Sequence, residues 1–252
     1  MEPQAWSVKA FVVEIPDFAL EYNQLTYDPT MNYTRPDFGS VALITIDVQN
    51  DFLKDQPCEI LGTSEMLPAM RELAEIFRRA RLPVIHMVRL YKSDGSNAEL
   101  CRRSAIEKGA SIVRPGTSGA QLAQPLLPVA DAKLDDELLL SGALQSLGPN
   151  EWAIYKPRWG AFFGTSLGPH LKNLGATTLA FAGCNFPNCP RASIYEASER
   201  DFRIILVEDA ISGLYDRGLE EMKNIGVTIM TKNQVAQSIS RCGKGADEGV
   251  NF

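Results

Sequence analysis

Histidine is scarce in this chain, which has two in 252 residues. A site needing three imidazoles is excluded, and one needing two requires His86 and His170 to meet. Paired cysteine motifs are missing too. The five cysteines, at 58, 101, 184, 189 and 242, form no CxxC, so neither a zinc cluster nor a thioredoxin-type site is indicated. Their odd number and scatter read as reduced thiols of a cytoplasmic chain. No apolar run approaches the ~20 residues of a membrane span. The start, MEPQAWSVKAFVVEIPDF, lacks the basic-then-apolar pattern of a signal peptide. Basic excess is absent as well: 25 Lys and Arg against 31 Asp and Glu give a net charge of −6. That balance argues against nucleic acid or an anionic membrane as a partner.

What is present is ordinary for a globular domain: 45% hydrophobic and 22% charged residues. A chain of this length buries roughly 70–75% of its unfolded surface and needs neither metal nor disulfide to fold. Strand-like runs alternate with helical patterns. VALITID (41–47) is near-continuously apolar and β-branched, as in a strand covered on both faces. PVIHMVR (83–89), EWAIYK to Lys156, TTLAFAG to Gly183, FRIILVED to Asp209 and GVTIMT to Thr231 follow. Between the first two, Met66, Leu67, Met70, Leu73, Ile76, Phe77 and Ala80 recur at helical spacing, with Thr63 or Ser64 as a cap. Later helices are expected over 165–174, 190–200 and 219–225, with Gly175 and Gly226 at their C-caps. This alternation predicts a single three-layer α/β/α domain, doubly wound about a six-stranded, mainly parallel sheet.

Residues 1–38, which include Pro16, Pro29, Pro36 and several aromatics, read as an N-terminal arm packed on its own domain or on a neighbouring subunit. The domain proper is 39–240, with an extended insertion at 90–150. The insertion holds a helix near 98–108, the turn-rich RPGTSGAQ, and LDDELLLSGAL, which suits a helix or a hairpin equally. Residues 241–252 read as a frayed tail.

Ligands of such sheets bind beyond the carboxyl ends of the strands, and three reactive side chains fall there. Asp47 closes the first strand and suits either a turn cap or a general acid–base. Lys156 closes another; as a lone surface lysine it would only snorkel, but beside a carboxylate it would hold that group anionic. Cys189 follows TTLAFAG and precedes Pro190, a residue favoured at helix starts. The helix dipole there predicts a lowered thiol pKa, against the bland reading of a buried structural cysteine. A carboxylate that takes the thiol proton supports acyl transfer without histidine. His86, inside a strand beside Val84 and Val88, reads as a core histidine, and Cys184 as packing. No GxGxxG follows the first strand, which weighs against a nucleotide-binding reading.

VALITIDVQNDF, RPGTSGAQ, IYKPRWGAFFGTSL and GCNFPNCPRASIYEASERDF, in that order, resemble the isochorismatase-like cysteine hydrolase superfamily over roughly 40–240. The resemblance implies an Asp47–Lys156–Cys189 triad and no cofactor. It implies hydrolysis of an amide, imide or ureido C–N bond through a thioester, on a small-molecule substrate, in a homodimer or homotetramer. It also implies a cis peptide at Cys184–Asn185, with the Asn185 and Cys189 amides as oxyanion hole. Phe186 and Pro187 depart from the usual turn, so Phe186–Pro187 is a second candidate for the cis bond. FLKDQPCEILGTSEM carries no histidine where metal-binding members have an Asp-x-His pair; no metal is expected, and nicotinamide is disfavoured. Phe52, Trp159 and Phe162 are candidate pocket walls. Arg89 and Tyr91 are candidates for a polar end of the substrate. A non-catalytic binding or scaffold member of the same fold is the alternative; it predicts a broken triad, and none is seen.

Overall fold

In the computed structural model, which describes residues 32–247, the first apolar run forms β1 (Val41–Ile46), buried at every residue. Its side chains alternate between two cores, as the strand period requires. Ala42, Ile44 and Ile46 enter one, while Val41 and Leu43 enter the other. The remaining strands are β2 (Val84–Val88), β3 (Gln145–Gly148), β4 (Glu151–Tyr155), β5 (Thr178–Gly183), β6 (Arg203–Ile211) and β7 (Thr228–Met230). The helices are α1 (Thr63–Arg79), α2 (Leu100–Glu107), α3 (Asp136–Leu140), α4 (Leu167–Asn173), α5 (Cys189–Ser198), α6 (Asp216–Asn224) and α7 (Lys232–Asp247).

The sheet order is β3-β4-β2-β1-β5-β6-β7. The chain winds from β1 to one side, then returns to β5 on the other, so strand order reverses between β1 and β5. Helices α4, α5 and α6 cover one face through Leu167, Leu171, Ile194, Ala197 and Met222. Helices α1 and α7 cover the other through Met70, Leu73, Phe77, Val235 and Ile239. This is the expected three-layer, doubly wound fold.

Three expectations are corrected. Among the described residues the sheet has seven strands, not six. The extra one, β3, is antiparallel to β4 and joins it through a tight turn in which Asn150 has φ 55°. QSLG carries no apolar alternation and lies at the sheet edge, so its pairing comes from the turn. The tail read as frayed is helical as far as Asp247, because Val235 and Ile239, four apart, dock on the core; 248–252 lie outside the described residues. Helix α1 starts without a side-chain cap. Thr63 instead bonds Ser212 across 3.1 Å, and Ser64 accepts the Lys54 amide at 2.7 Å. Of the arm, 1–31 lie outside the described residues. LDDELLLSGAL resolves as the helix, α3, whose first turn is capped by Asp135. The insertion packs its own cluster, including Tyr91, Ile106, Val113, Leu122, Leu134 and Leu139, around Val88 at the end of β2.

Among the described residues no helix is long and apolar enough to cross a membrane.

Candidate active site

The point where strand order reverses brings the turn after β1 against the turn after β5. Gly183 makes this approach possible: its φ is +119°, and a Cβ there would sit 2.2 Å from the Ile46 carbonyl oxygen. A side chain at that position would drive the two turns apart.

Asp47 lies in the first turn with φ 53°, a left-handed conformation that aspartate tolerates and that is typical of functional sites. Its amide donates to the Met87 carbonyl at 2.9 Å. Its carbonyl accepts from the Gln49 amide at 2.9 Å and from the Cys184 thiol at 3.1 Å. Cys184, read as packing, therefore also braces Asp47.

Lys156, fully buried, reaches Asp47 from the end of β4. Its Nζ is 2.8 Å from Asp47 Oδ2. A buried ammonium is tolerated only with such a partner. The second oxygen, Asp47 Oδ1, is buried and has no partner among the described residues.

Cys189 is the first residue of α5, with Asn188 as N-cap and Pro190 next. It is partly exposed and senses the charges of Asp47, Lys156 and Arg89. The expected low thiol pKa is corrected here. Burial, followed by the neighbouring Asp47 carboxylate, pushes the thiol up to about 11, against the pull of Lys156 and Arg89. Desolvation of the anion outweighs the helix end. The resting group is a thiol with a carboxylate beside it.

A second correction concerns the turn itself. Among the described residues every peptide bond is trans, Cys184–Asn185 and Phe186–Pro187 included. The turn obtains its shape from Gly183 and from Asn188, at φ −116° and ψ −104°. The amides of Asn185 and Cys189 donate to no protein acceptor among the described residues, unlike the neighbouring Phe186 and Asn188 amides. They remain open donors.

The candidate substrate contacts divide. Phe52 is buried beside Leu122 in the insertion cluster, and Trp159 is partly exposed on the loop after Lys156. Phe162 is held in the main core, its ring 5.7 Å from that of Phe202 and its amide donated to Glu196 at 2.7 Å. Arg89 is buried, ion-paired with Glu99 and 5.3 Å above the Tyr91 ring. The Tyr91 hydroxyl is taken up by Glu99 at 2.7 Å.

Sequence reasoning missed the residues that hold these groups. Gln49 clasps the Arg89 backbone: its Oε1 accepts from Arg89 N and its Nε2 donates to Arg89 O, both at 2.8 Å. Asp51 accepts the Val113 amide at 2.6 Å and lies so close to Gly119 that a Cβ there would be 1.9 Å from its oxygen. The signal was available, since Gln49 and Asp51 share the motif DVQNDF with Asp47. Glu99 had no such signal. Among the described residues no three His, Cys, Asp or Glu side chains group as metal ligands.

The fold and site define a doubly wound α/β protein with its polar site where the strand order reverses. The chain belongs to the isochorismatase family: the Isochorismatase domain model matches residues 41–234. A probable inactive nicotinamidase of Arabidopsis thaliana is 28% identical over 209 residues, covering 80% of this chain and 97% of that protein. An isochorismatase family protein from Desulfovibrio vulgaris subsp. vulgaris str. Hildenborough superposes with a TM-score of 0.68 at 28% identity, over 80% of this chain and 98% of that one. N-carbamoylsarcosine amidase from Thermoplasma acidophilum shares the fold, with a TM-score of 0.59 at 22% identity over 77% and 96% of the two chains.

Proposed function

We propose that this protein hydrolyses a non-peptide C–N bond of a small amide, imide or ureido compound through a thioester on Cys189. The observation that carries the reading is the division of labour at Asp47. One carboxylate oxygen is pinned by Lys156, the other is buried and without a partner among the described residues, and the carboxylate as a whole lies close enough to the Cys189 thiol to raise its pKa. The names of family neighbours, an amidase among them, support the same class.

Because the resting thiol is protonated, Asp47 takes its proton as sulfur attacks the substrate carbonyl carbon. The electron pair displaced from the C=O bond rests on oxygen, stabilised by the amides of Asn185 and Cys189. Collapse breaks the C–N bond, and the proton held by Asp47 passes to the departing nitrogen. The acyl group is left on sulfur. Asp47 then removes a proton from water, whose oxygen attacks the thioester. The acid departs, and the proton returns to sulfur. Lys156 fixes the orientation of Asp47 throughout.

Ammonia release from a panel of primary amides and ureido acids tests this. Cys189→Ala is expected to lose about 10⁴-fold or more in kcat, and normal turnover by that variant overturns the thioester route. A second reading, a binding member of the family without catalysis, is favoured by the name of the Arabidopsis relative. Folded wild-type protein that turns over no member of the panel would support it.

A further inference from the structure

Around the open amides of Asn185 and Cys189, the neighbouring peptide groups are tied down. The Phe186 amide donates to the Ser212 carbonyl at 2.8 Å, and the Asn188 amide to the Asn185 carbonyl at 3.1 Å. Arg191 and Ala192, on α5, donate to the Phe186 and Asn188 carbonyls at 3.2 and 2.9 Å. The Asn188 side-chain amide also reaches Asn185 Oδ1 at 3.0 Å. These bonds make the turn move as one piece. Its seat against the rest of the fold depends on one side chain.

That side chain is Phe186, one of the two residues by which this turn departs from the family pattern. It is fully buried, although the next residue, Pro187, is exposed. Its ring belongs to the core that includes Ile194 of α5, Ile211 of β6 and Met222 of α6. It lies 5.6 Å from the Tyr215 ring at an interplanar angle of 62°, an edge-to-face contact. Gly218, in the first turn of α6, leaves room for both rings. A Cβ there would lie 2.6 Å from Phe186 Cε1 and 2.8 Å from Tyr215 Cζ. Gly218 is not among the residues with positive φ, so space and not backbone conformation calls for glycine, which weakens a helix relative to alanine. Tyr215 is fixed in turn. Its hydroxyl accepts from Arg191 Nη1 at 2.7 Å, and Arg191 pairs with Glu221 of α6. The slot thus ties the start of the nucleophile helix to α6.

We propose that Phe186 and Gly218 are a matched pair of positioning residues, the ring keyed over the glycine so that the amides of Asn185 and Cys189 face the carbonyl oxygen of the group attacked by Cys189. The proposal rests on the Cys189 chemistry of the hydrolase reading and adds to it what holds the oxyanion donors. Neither residue touches the reacting atoms. Such donors act through their distance and direction, and a displacement of about 1 Å costs on the order of 100-fold in rate. A shift of the ring passes to both amides, because the turn moves as one piece.

The test compares two reactions of one thiol in the full chain. p-Nitrophenyl acetate acylates Cys189: sulfur bonds to the acetyl carbon, an oxyanion forms and collapses, p-nitrophenolate leaves, and the thiol proton goes to Asp47. Iodoacetamide alkylates the same sulfur by displacing iodide and forms no oxyanion. Both rates are read at Cys189 by peptide mass spectrometry. Gly218→Ala is expected to lower the acylation rate about 10- to 100-fold, with the alkylation rate and its pH profile unchanged. Phe186→Leu is expected to lower it about tenfold. The double variant, in which the smaller side chain leaves room for the added methyl, is expected to recover most of the loss. A merely structural pair would lower the melting temperature and leave the ratio of the two rates alone. An unchanged ratio in Gly218→Ala therefore overturns the proposal, as does a double variant no better than the worse single one. Should Gly218→Ala fail to fold, Phe186→Leu and the double variant decide by the same ratio. The amide panel separates the two readings. A wild type that turns over no amide, yet loses Cys189 acylation with Gly218→Ala, overturns the hydrolase reading and keeps the two positioning residues. Hydrolysis of amides at the wild-type rate by Gly218→Ala overturns the matched pair alone. A wild-type Cys189 that p-nitrophenyl acetate does not acylate overturns both.

Discussion

Two buried charge clusters share the same three neighbouring strands, and they differ in how completely their polar atoms are partnered. The first lies within the sheet. Glu151 opens β4 and accepts two bonds from Arg78, at 2.8 and 2.7 Å, and shares a third with His86 at 2.8 Å. The other His86 nitrogen meets the Thr45 hydroxyl at 2.7 Å. No side-chain atom of these four residues is buried without a partner. Burial alone would push the Glu151 carboxyl up, but the hydrogen bonds from Arg78 and His86, and their charges, hold it below the usual range. The second cluster lies at the strand ends. There Lys156 pairs with Asp47 and Glu99 with Arg89, while Asp47 Oδ1 and Arg89 Nη1 have no hydrogen-bond partner among the described residues. Open polar atoms in a buried setting are costly. The inner cluster shows that this sheet can accommodate a fully satisfied one. The difference therefore separates a group that holds the fold from a group arranged to meet a ligand.

The strongest way to break this division is Asp47→Asn. The variant keeps the shape but removes the base and leaves the buried Lys156 ammonium without its counter-charge, so kcat per folded molecule on the amide panel is expected to fall about 10³- to 10⁴-fold, alongside a stability loss of about 3–5 kcal/mol. A large loss of stability with modest loss of kcat would place Asp47 with the inner cluster instead. Next comes Glu151→Ala. It leaves Arg78 and His86 uncompensated and is expected to cost about 3–5 kcal/mol in urea denaturation, with kcat per folded molecule largely preserved. The pH dependence follows. A carboxyl depressed in the fold contributes stability above its unfolded pKa of about 4.5. That contribution is lost as pH falls through the lower folded value, and the Glu151→Ala variant should lack this acid-side loss.

The thiol gives the next effect. With its pKa near 11, Cys189 is ionised in only about one molecule in 10⁴ at pH 7. Iodoacetamide should label it more slowly than the exposed Cys101, and the rate should rise about tenfold per pH unit towards 11. Asp47→Asn removes a charge that raises the thiol, so labelling at pH 7 should quicken while turnover collapses. A merely structural Asp47 would not produce opposite changes. Fast labelling of the wild type at pH 7, flat from there to pH 10, would contradict a protonated resting thiol.

How much of this was legible follows the range of each interaction. Six strands announced themselves because continuous apolar runs such as Val41–Ile46 and Thr178–Gly183 are local. β3 did not, since QSLG owes its pairing to the turn at Asn150. Asp47, Lys156 and Cys189 stood out because strand ends can be located from the runs. Glu99 and Gln49 did not, because what they hold is decided by how the insertion folds back over β2 and β4. The Cys189 pKa had the wrong sign for the same reason: the helix start is visible in the order of residues, while burial and the approach of Asp47 are not. His86 is the core histidine that its place in the strand predicts, and its partner Glu151 lies beyond local pattern.

The smallest effect gives the sharpest test of the separation. Thr45 lies two residues before Asp47 on β1, yet its hydroxyl serves His86. Thr45→Val keeps the volume and leaves one buried ring nitrogen without its hydrogen bond, at an expected cost of about 1–2 kcal/mol. Combined with Glu151→Ala, the loss should be less than additive, because both act through His86. The kcat on the amide panel should not move, since Asp47 is fixed by Met87, Gln49, Cys184 and Lys156 rather than by the inner cluster. A tenfold fall in kcat with Thr45→Val would join the two clusters through β1, and a buried histidine two strand positions from the base would then belong to the site after all.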